Sequence, residues 1–247
     1  MSMTLMLGLL ITMVATSFLS GIFGMAGGLI LMGVLLAILP LPEAMALHAV
    51  TQMASNGWRG LLWWRHAQWR AAATFLTGCA VALLAWSLLR YVPSTPLALL
   101  LLGVSPFVVR LLPPSFKPDP ERLTHGLLYG SCSMTLMLLA GVSGPLIDTY
   151  FLGGTLERRQ IVATKAVCQV LSHGAKFVYF GGLVDNAAGL DPVMAASAVV
   201  ASMIGTSLAR PVLEKLSDVQ FRRWASHIIT VIAVFYLSQG SYLLLWR

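Results

Sequence analysis

The chain has 247 residues, of which 57% are hydrophobic and 10% are charged, and its formal net charge is +7. A soluble domain carries about 25% charged residues, so this composition excludes a water-soluble globular protein and predicts one all-α, polytopic membrane domain. The basic residues lie in short loops between apolar segments and form no dense patch, which argues against a nucleic-acid-binding protein.

Apolar segments follow one another along the whole chain. Because the first has no basic n-region and no small-residue cleavage site, we expect residues 3–19 to form a retained helix rather than a removed signal peptide. Two segments, 28–39 and 145–153, are too short to cross a bilayer alone and are predicted to be broken or re-entrant, which gives eight to ten membrane segments in all. The segments span about 3–23, 28–39, 44–64, 71–90, 96–112, 123–140, 145–153, 161–181, 192–209 and 221–246.

Each of the two short segments follows a break in the chain. Residues 21–28 read GIFGMAGG and residues 141–145 read GVSGP. Glycine weakens a helix but lets the backbone approach a ligand closely, and Pro145 suits the first position of a helix, where its missing N–H is no loss. The alternative is that these glycines only allow two helices to cross at short distance.

The second half of the chain aligns with the first without gaps at an offset of 117 residues. Over residues 24–57, twelve of the 34 aligned positions are identical, including Gly24 with Gly141 and Gln52 with Gln169. We therefore predict a single transporter domain made of two repeats, at about 1–112 and about 123–247, joined by the proline-rich loop 113–122.

Charge in the loops predicts how the two repeats are oriented, because Lys and Arg are retained on the cytoplasmic side of a membrane. If each half crosses five times, twelve of the sixteen basic residues lie on one face and only Arg90 and Arg247 on the other. Four crossings per half would divide the basic residues almost evenly. The pattern therefore favours inverted repeats with both termini on the periplasmic side.

Polar residues occupy one face of segment 44–64, and the corresponding face of segment 161–181 is also polar. Because polar groups are costly in lipid, both faces should line the protein interior or a water-filled cavity. Hydrogen bonds that only hold the bundle together are the alternative. The residues are His48, Thr51, Gln52, Ser55, Asn56 and Arg59 in the first half, and Lys165, Cys168, Gln169, Ser172, His173 and Lys176 in the second.

Inverted repeats with broken helices are typical of secondary transporters, whose half-helix N-termini offer free N–H groups to anions near the membrane midplane. The breaks and the polar faces together predict an anion site, with positive charge from Lys165, Lys176 or Arg59. The predicted substrate-binding residues are Gly24, Gly27, Gly28, Gln52, Ser55, Asn56, Arg59, Gly141, Gly144, Pro145, Lys165, Gln169, Ser172, His173 and Lys176.

Asp148 is the one carboxylate expected at membrane depth. It either couples transport to protons or neutralises Lys165, and the sequence leaves both roles open. His48 is a second candidate for proton coupling. The three cysteines are far apart and no enzyme motif or P-loop is present, so we predict no catalytic residues, no metal, no cofactor and no ATP-driven transport.

The stretch SGIFGMAGGLI, the polar segment with Gln52 and Ser55, and the second copy around GVSGP resemble the TauE/SafE family of sulfite exporters, also described as toluenesulfonate uptake permeases. Ser143 and Pro145 depart from the glycine-rich pattern of the first copy. The resemblance implies a multi-pass protein of the bacterial inner membrane that exports sulfite or an organosulfonate, with the anion bound at the two breaks and near Gln52 and Gln169.

Two other functions remain open at the level of sequence. A cation or metal carrier would use Asp148, His48 and His173, although this set is sparse for a metal site. A membrane assembly partner without a transport cycle would use the polar faces only for packing. A coupling proton and a homo-oligomer are also left open.

Overall fold

The computed structural model describes residues 3–23, 26–111, 118–152, 156–183, 190–213, 215 and 218–246, and these contain helices and no strand. The predicted all-α polytopic bundle is therefore confirmed, and each predicted segment corresponds to one helix. The helices are α1 (Met3–Phe23), α2 (Ala26–Ile38), α3 (Leu41–Trp63), α4 (Trp69–Leu89), α5 (Thr95–Leu111), α6 (Leu123–Ala140), α7 (Gly144–Leu152), α8 (Arg158–Val178), α9 (Pro192–Leu213) and α10 (Asp218–Trp246).

Within the part of the chain that the structure describes, five helical stretches are long and apolar enough to cross a membrane: Thr4–Phe23, Trp69–Leu89, Leu123–Ala140, Pro192–Ala209 and Ser226–Trp246. They expose large apolar side chains such as Ile11, Leu88 and Val231, whereas α3 and α8 bury polar ones. Apolar residues outside and polar residues inside are the reverse of a soluble protein, because the surrounding solvent is lipid. The chain is a multi-pass membrane protein.

The two short helices lie inside the bundle. α2 has 13 residues and α7 has nine, which correspond to about 20 Å and about 14 Å of helix, less than the roughly 30 Å of a hydrocarbon core. α2 packs against α1, α3 and α10, and α7 packs against α5, α6 and α8. Other helices therefore cover α2 over most of its length, from Ala26 to Leu36, whereas its last two residues, Ala37 and Ile38, are exposed.

Helix packing keeps the same pattern when α1–α5 are exchanged with α6–α10. α1 packs on α9 as α6 packs on α4, and α3 packs on α9 as α8 packs on α4. Glycine allows the closest approach in both pairs, since a Cβ added at Gly205 would strike the backbone of Val14, and one added at Gly78 would strike the backbone of Leu127. This pattern supports the predicted duplication.

The central helices α3 and α8 run in opposite directions. Gly57 faces Val170, and Gly174 faces Met53. At the offset of 117 residues these are the same contact made twice, because Gly57 corresponds to Gly174 and Met53 to Val170. Antiparallel packing of corresponding helices is what inverted repeats require, and the inverted orientation in the membrane stays a prediction.

Candidate functional site

A buried polar cluster lies where α3 and α8 meet the start of α2 and the end of α6. The Nζ atom of Lys176 lies 2.8 Å from Nδ1 of His48 and donates a 2.9 Å hydrogen bond to the carbonyl oxygen of Gly141. Nε2 of His48 lies 3.0 Å from the carbonyl oxygen of Gly28. These contacts connect residues from four helices around one ammonium group.

Two further polar side chains adjoin these residues. The His173 ring lies 5.5 Å from the His48 ring, centroid to centroid, and Gln52 lies beside Gly28, where an added Cβ would be 3.3 Å from Oε1 of Gln52. We call His48, Gln52, His173 and Lys176 the Lys176 cluster. Lys176 and His48 are fully buried, and His173 and Gln52 are 3% and 6% exposed.

The conformation of Gly141 aims a carbonyl group at Lys176. Gly141 ends α6 with φ +83°, in the left-handed region that favours glycine, and its N–H bonds to the carbonyl oxygen of Met137. A Cβ there would also collide with the sulfur atoms of Met32 and Met45. A cation at a helix C-terminus is favoured by the helix dipole, so Lys176 stabilises the end of α6 as well as adding charge to the cluster.

The Lys176 cluster has more hydrogen-bond capacity than the protein uses. Nε2 of Gln52 and Nδ1 of His173 are buried without a hydrogen-bond partner. Lys176 has a third N–H beyond its two bonds, and no carboxylate pairs with it among the residues that the structure describes. Buried donors and buried charge are costly when unpaired, so the complement of this cluster is an anion with several oxygen atoms.

A second polar group lies around Lys165, three turns before Lys176 on α8. Asp148 of α7 forms an ion pair with Lys165, with 23% and 20% of the two side chains exposed. Arg59 of α3 donates a 3.2 Å hydrogen bond to the carbonyl oxygen of Ser20 near the end of α1 and is attracted by the Asp148 carboxylate. We call Arg59, Asp148 and Lys165 the Lys165 cluster. Of the two roles left open for Asp148, neutralisation of Lys165 is the one that this ion pair favours.

The predicted serines take part in packing between helices. The hydroxyl groups of Ser55 and Thr206 lie 2.8 Å apart, joining α3 to α9, and Oγ of Ser172 lies 3.7 Å from Sγ of Cys79, joining α8 to α4. Both serines therefore make hydrogen bonds of the kind that hold a helix bundle together, which was the alternative to substrate binding by the polar faces.

The other predicted polar residues take different positions. Asn56 is buried and donates a 2.8 Å hydrogen bond to the carbonyl oxygen of Gln52 in its own helix. Gln169 is half-buried on α8, and no contact that the structure describes brings it into either cluster. The two glutamines were predicted to have corresponding roles, but in this conformation only Gln52 belongs to a cluster.

The glycines of the two breaks differ in what they do: one permits close packing of helices, and the other begins a helix. A Cβ added at Gly27 would strike the backbone oxygen of Thr16, so this glycine permits close packing of α2 on α1. Gly144 begins α7 with Pro145 in its first turn, and the carbonyl oxygen of Ser143 accepts the first backbone bonds. Gly24 lies outside the described residues.

Tyr236 supports the site and was missed by sequence reasoning. Its hydroxyl group on α10 donates a 2.6 Å hydrogen bond to the carbonyl oxygen of Leu29 in α2, over the space left by Gly33. The available signal was a tyrosine within an apolar segment, since a buried tyrosine hydroxyl usually finds a partner. Tyr236 holds the first turn of α2 in place beside the Lys176 cluster.

We expect the Ser55–Thr206 hydrogen bond to contribute about 0.6 kcal/mol to stability, the average for such bonds between membrane helices. Ser55→Ala and Thr206→Val should each lower the melting temperature of the purified protein, and the double variant should lose less than the sum of the two. Strictly additive losses would show that the two hydroxyl groups do not interact.

A family model described as Sulfite exporter TauE/SafE matches residues 9–236 of the chain. The matched region contains α2, α7 and both polar clusters. Comparisons with curated proteins and with solved structures give no match.

Proposed function

Since the chain belongs to the TauE/SafE family of sulfite exporters, we propose that it exports sulfite or an organosulfonate across the bacterial inner membrane by secondary transport. Membership of the family makes it a membrane exporter of a small sulfur-containing anion. The single observation that carries the proposed site is the buried Lys176, which has no carboxylate partner among the described residues.

The free donors of the Lys176 cluster match the oxygen atoms of the anion in number. Sulfite presents three oxygen atoms that share negative charge, and the sulfonate group of an organosulfonate presents the same three. Lys176, the Gln52 amide and Nδ1 of His173 supply three N–H groups that are free to bond, provided that His173 carries its proton on Nδ1. Each hydrogen bond to a charged group contributes about 1.5–3 kcal/mol.

The packing of α3 against α8 supports a transport cycle in which one half moves against the other. Where these helices cross, an added Cβ at Gly57 or Gly174 would meet its nearest neighbour at 3.8 Å or 3.7 Å, so each glycine leaves space for about one methyl group between the helices. The Lys176 cluster joins residues from both halves, as a site for alternating access must. A role for His48 in proton coupling stays a prediction.

The arrangement disfavours a cation or metal carrier. Such a carrier would bring Asp148 together with His48 and His173, but Asp148 pairs with Lys165 while both histidines adjoin Lys176. A buried ammonium beside two histidines repels a second cation. The described residues also contain no group of three or more metal-binding side chains.

Gln52→Ala tests the proposed site. In proteoliposomes that contain the purified chain, we expect [³⁵S]sulfite transport, and we expect this variant to raise the half-saturating concentration about tenfold or more, as loss of one hydrogen bond to a charged group predicts. Gln169→Ala is the matched control, because Gln169 has no described contact with the cluster, and it should leave this concentration nearly unchanged.

Three outcomes would contradict parts of this proposal. If the unmodified chain transports neither sulfite nor an organosulfonate, the proposed function is wrong. Equal effects of the Gln52 and Gln169 variants would show that the site is not confined to the Lys176 cluster. Thermal stabilisation by divalent metal ions but not by sulfite would favour the cation carrier.

A further inference from the structure

The two polar clusters occupy corresponding places in the two halves. At the offset of 117 residues, His48 corresponds to Lys165, and Arg59 corresponds to Lys176. Each cluster therefore contains one corresponding pair, with one basic or imidazole side chain from α3 and one from α8. Arg59 donates to a carbonyl group near the end of α1, as Lys176 donates to one at the end of α6. The two clusters are therefore built in the same way, and we call each of them a half-site.

One position distinguishes the two half-sites. Asp148, on the short helix α7, corresponds to Leu31 on the short helix α2. Leu31 is fully buried in the apolar core, so it brings no charge to the Lys176 cluster. Asp148 forms the ion pair with Lys165 and also attracts Arg59. The Lys165 cluster thus contains its own anion, and the Lys176 cluster contains none among the described residues.

We infer that Asp148 is a built-in anion that occupies the second of two corresponding half-sites, so that each chain holds one substrate anion, at the Lys176 cluster. The inference rests on the proposed function, because it assumes that the Lys176 cluster binds the transported anion. A carboxylate tethered to α7 has an effective concentration of roughly millimolar or more, and a free anion must compete with it for Lys165.

Removal of the carboxylate should open the second half-site. Asp148→Asn keeps the size of the side chain but removes the carboxylate beside Lys165 and Arg59, and no other carboxylate pairs with them among the described residues. Two cations in a partly buried site attract a free anion, so this variant gains a second site at the Lys165 cluster. Asp148→Leu makes the two half-sites alike at this position and should have the same effect.

The test measures how many anions bind to each chain. Purified protein in lipid nanodiscs is saturated with [³⁵S]sulfite under anaerobic conditions, and bound sulfite is counted per chain. We expect one sulfite for the unmodified chain, two for Asp148→Asn, and one again for the double variant Asp148→Asn/Lys165→Gln. Glu121→Gln, which removes an exposed carboxylate, is the matched control and should bind one.

The outcomes separate this inference from the proposed function. One sulfite for both the unmodified chain and Asp148→Asn would overturn the inference and leave the proposed function intact, as would two for the unmodified chain. No binding to either protein would overturn both. Binding only to Asp148→Asn would contradict the proposed site and, with it, the inference that each unmodified chain holds one substrate anion at the Lys176 cluster. If Asp148→Asn does not purify as a folded protein, Asp148→Leu replaces it in the same comparison.

Discussion

Replacing Lys176 with glutamine is expected to raise the half-saturating concentration of sulfite in proteoliposomes by roughly 30-fold or more. Truncating one partner of a buried, hydrogen-bonded charge pair costs about 2–5 kcal/mol, and about 1.4 kcal/mol corresponds to a factor of ten. Lys176 is fully buried and supplies the positive charge of its cluster, so no solvent cation can replace it. The measurement is the initial rate of [³⁵S]sulfite uptake as a function of concentration.

Thermal stability separates this binding role from a structural one. Lys176→Gln loses a hydrogen bond to the carbonyl oxygen of Gly141, which costs about 0.5–1.5 kcal/mol, but it also removes the cost of burying an ammonium group. We therefore expect a melting temperature close to that of the unmodified chain. Lys176→Met, which keeps the aliphatic packing, provides a second variant, and Lys215→Gln removes an exposed lysine as the matched control.

A different result would change the role given to Lys176. Unchanged sulfite transport in both Lys176 variants would exclude the residue from the substrate site. A large fall in melting temperature together with lost transport would mean that the main role of Lys176 is to hold the end of α6. The Lys215 control should match the unmodified chain in both measurements.

Gly27→Ala and Gly28→Ala are expected to have different effects, the first on stability and the second on sulfite binding, although the two glycines are adjacent. A Cβ at Gly27 would strike the backbone of Thr16 and Ser20, which cannot move without shifting α1. Overpacking of this kind costs about 1–3 kcal/mol, so Gly27→Ala should lower the melting temperature strongly and reduce the yield of folded protein.

At Gly28 the added methyl group meets only the end of a flexible side chain. Its nearest neighbour would be Oε1 of Gln52 at 3.3 Å, and the amide can rotate away. Gly28→Ala should therefore keep the melting temperature but weaken sulfite binding several-fold, because Gln52 loses its position. Equal destabilisation by both variants would show that the break serves packing alone.

The positions of the helices could be predicted from the sequence because of the solvent. In lipid, every backbone N–H and C=O group must be bonded within its own segment, so long apolar stretches have no alternative to helix. The predicted segment 28–39 therefore corresponds to α2 (Ala26–Ile38), and 145–153 corresponds to α7 (Gly144–Leu152). Differences at the ends amount to a few residues, since caps depend on neighbouring elements.

The roles of the polar residues could be predicted only in part. The spacing of His48, Gln52 and Ser55 places them on one broad face of a helix. That face is shared by two neighbours in the structure: His48 and Gln52 lie beside α2, whereas Ser55 reaches Thr206 on α9. Periodicity along one helix carries no information about which neighbour covers which part of its face.

The sequence by itself determined that the chain is a helical membrane protein with two broken segments and polar residues at corresponding places in both halves. Only the tertiary structure decided that Asp148 pairs with Lys165 while Lys176 is left with His48 and the carbonyl group of Gly141. Hydropathy and periodicity are properties of a single segment, and the repeat is found by aligning the two halves of the sequence, so these features need no knowledge of tertiary contacts. Charge pairing depends on distances between side chains such as His48 and Lys176, which are 128 residues apart in the chain.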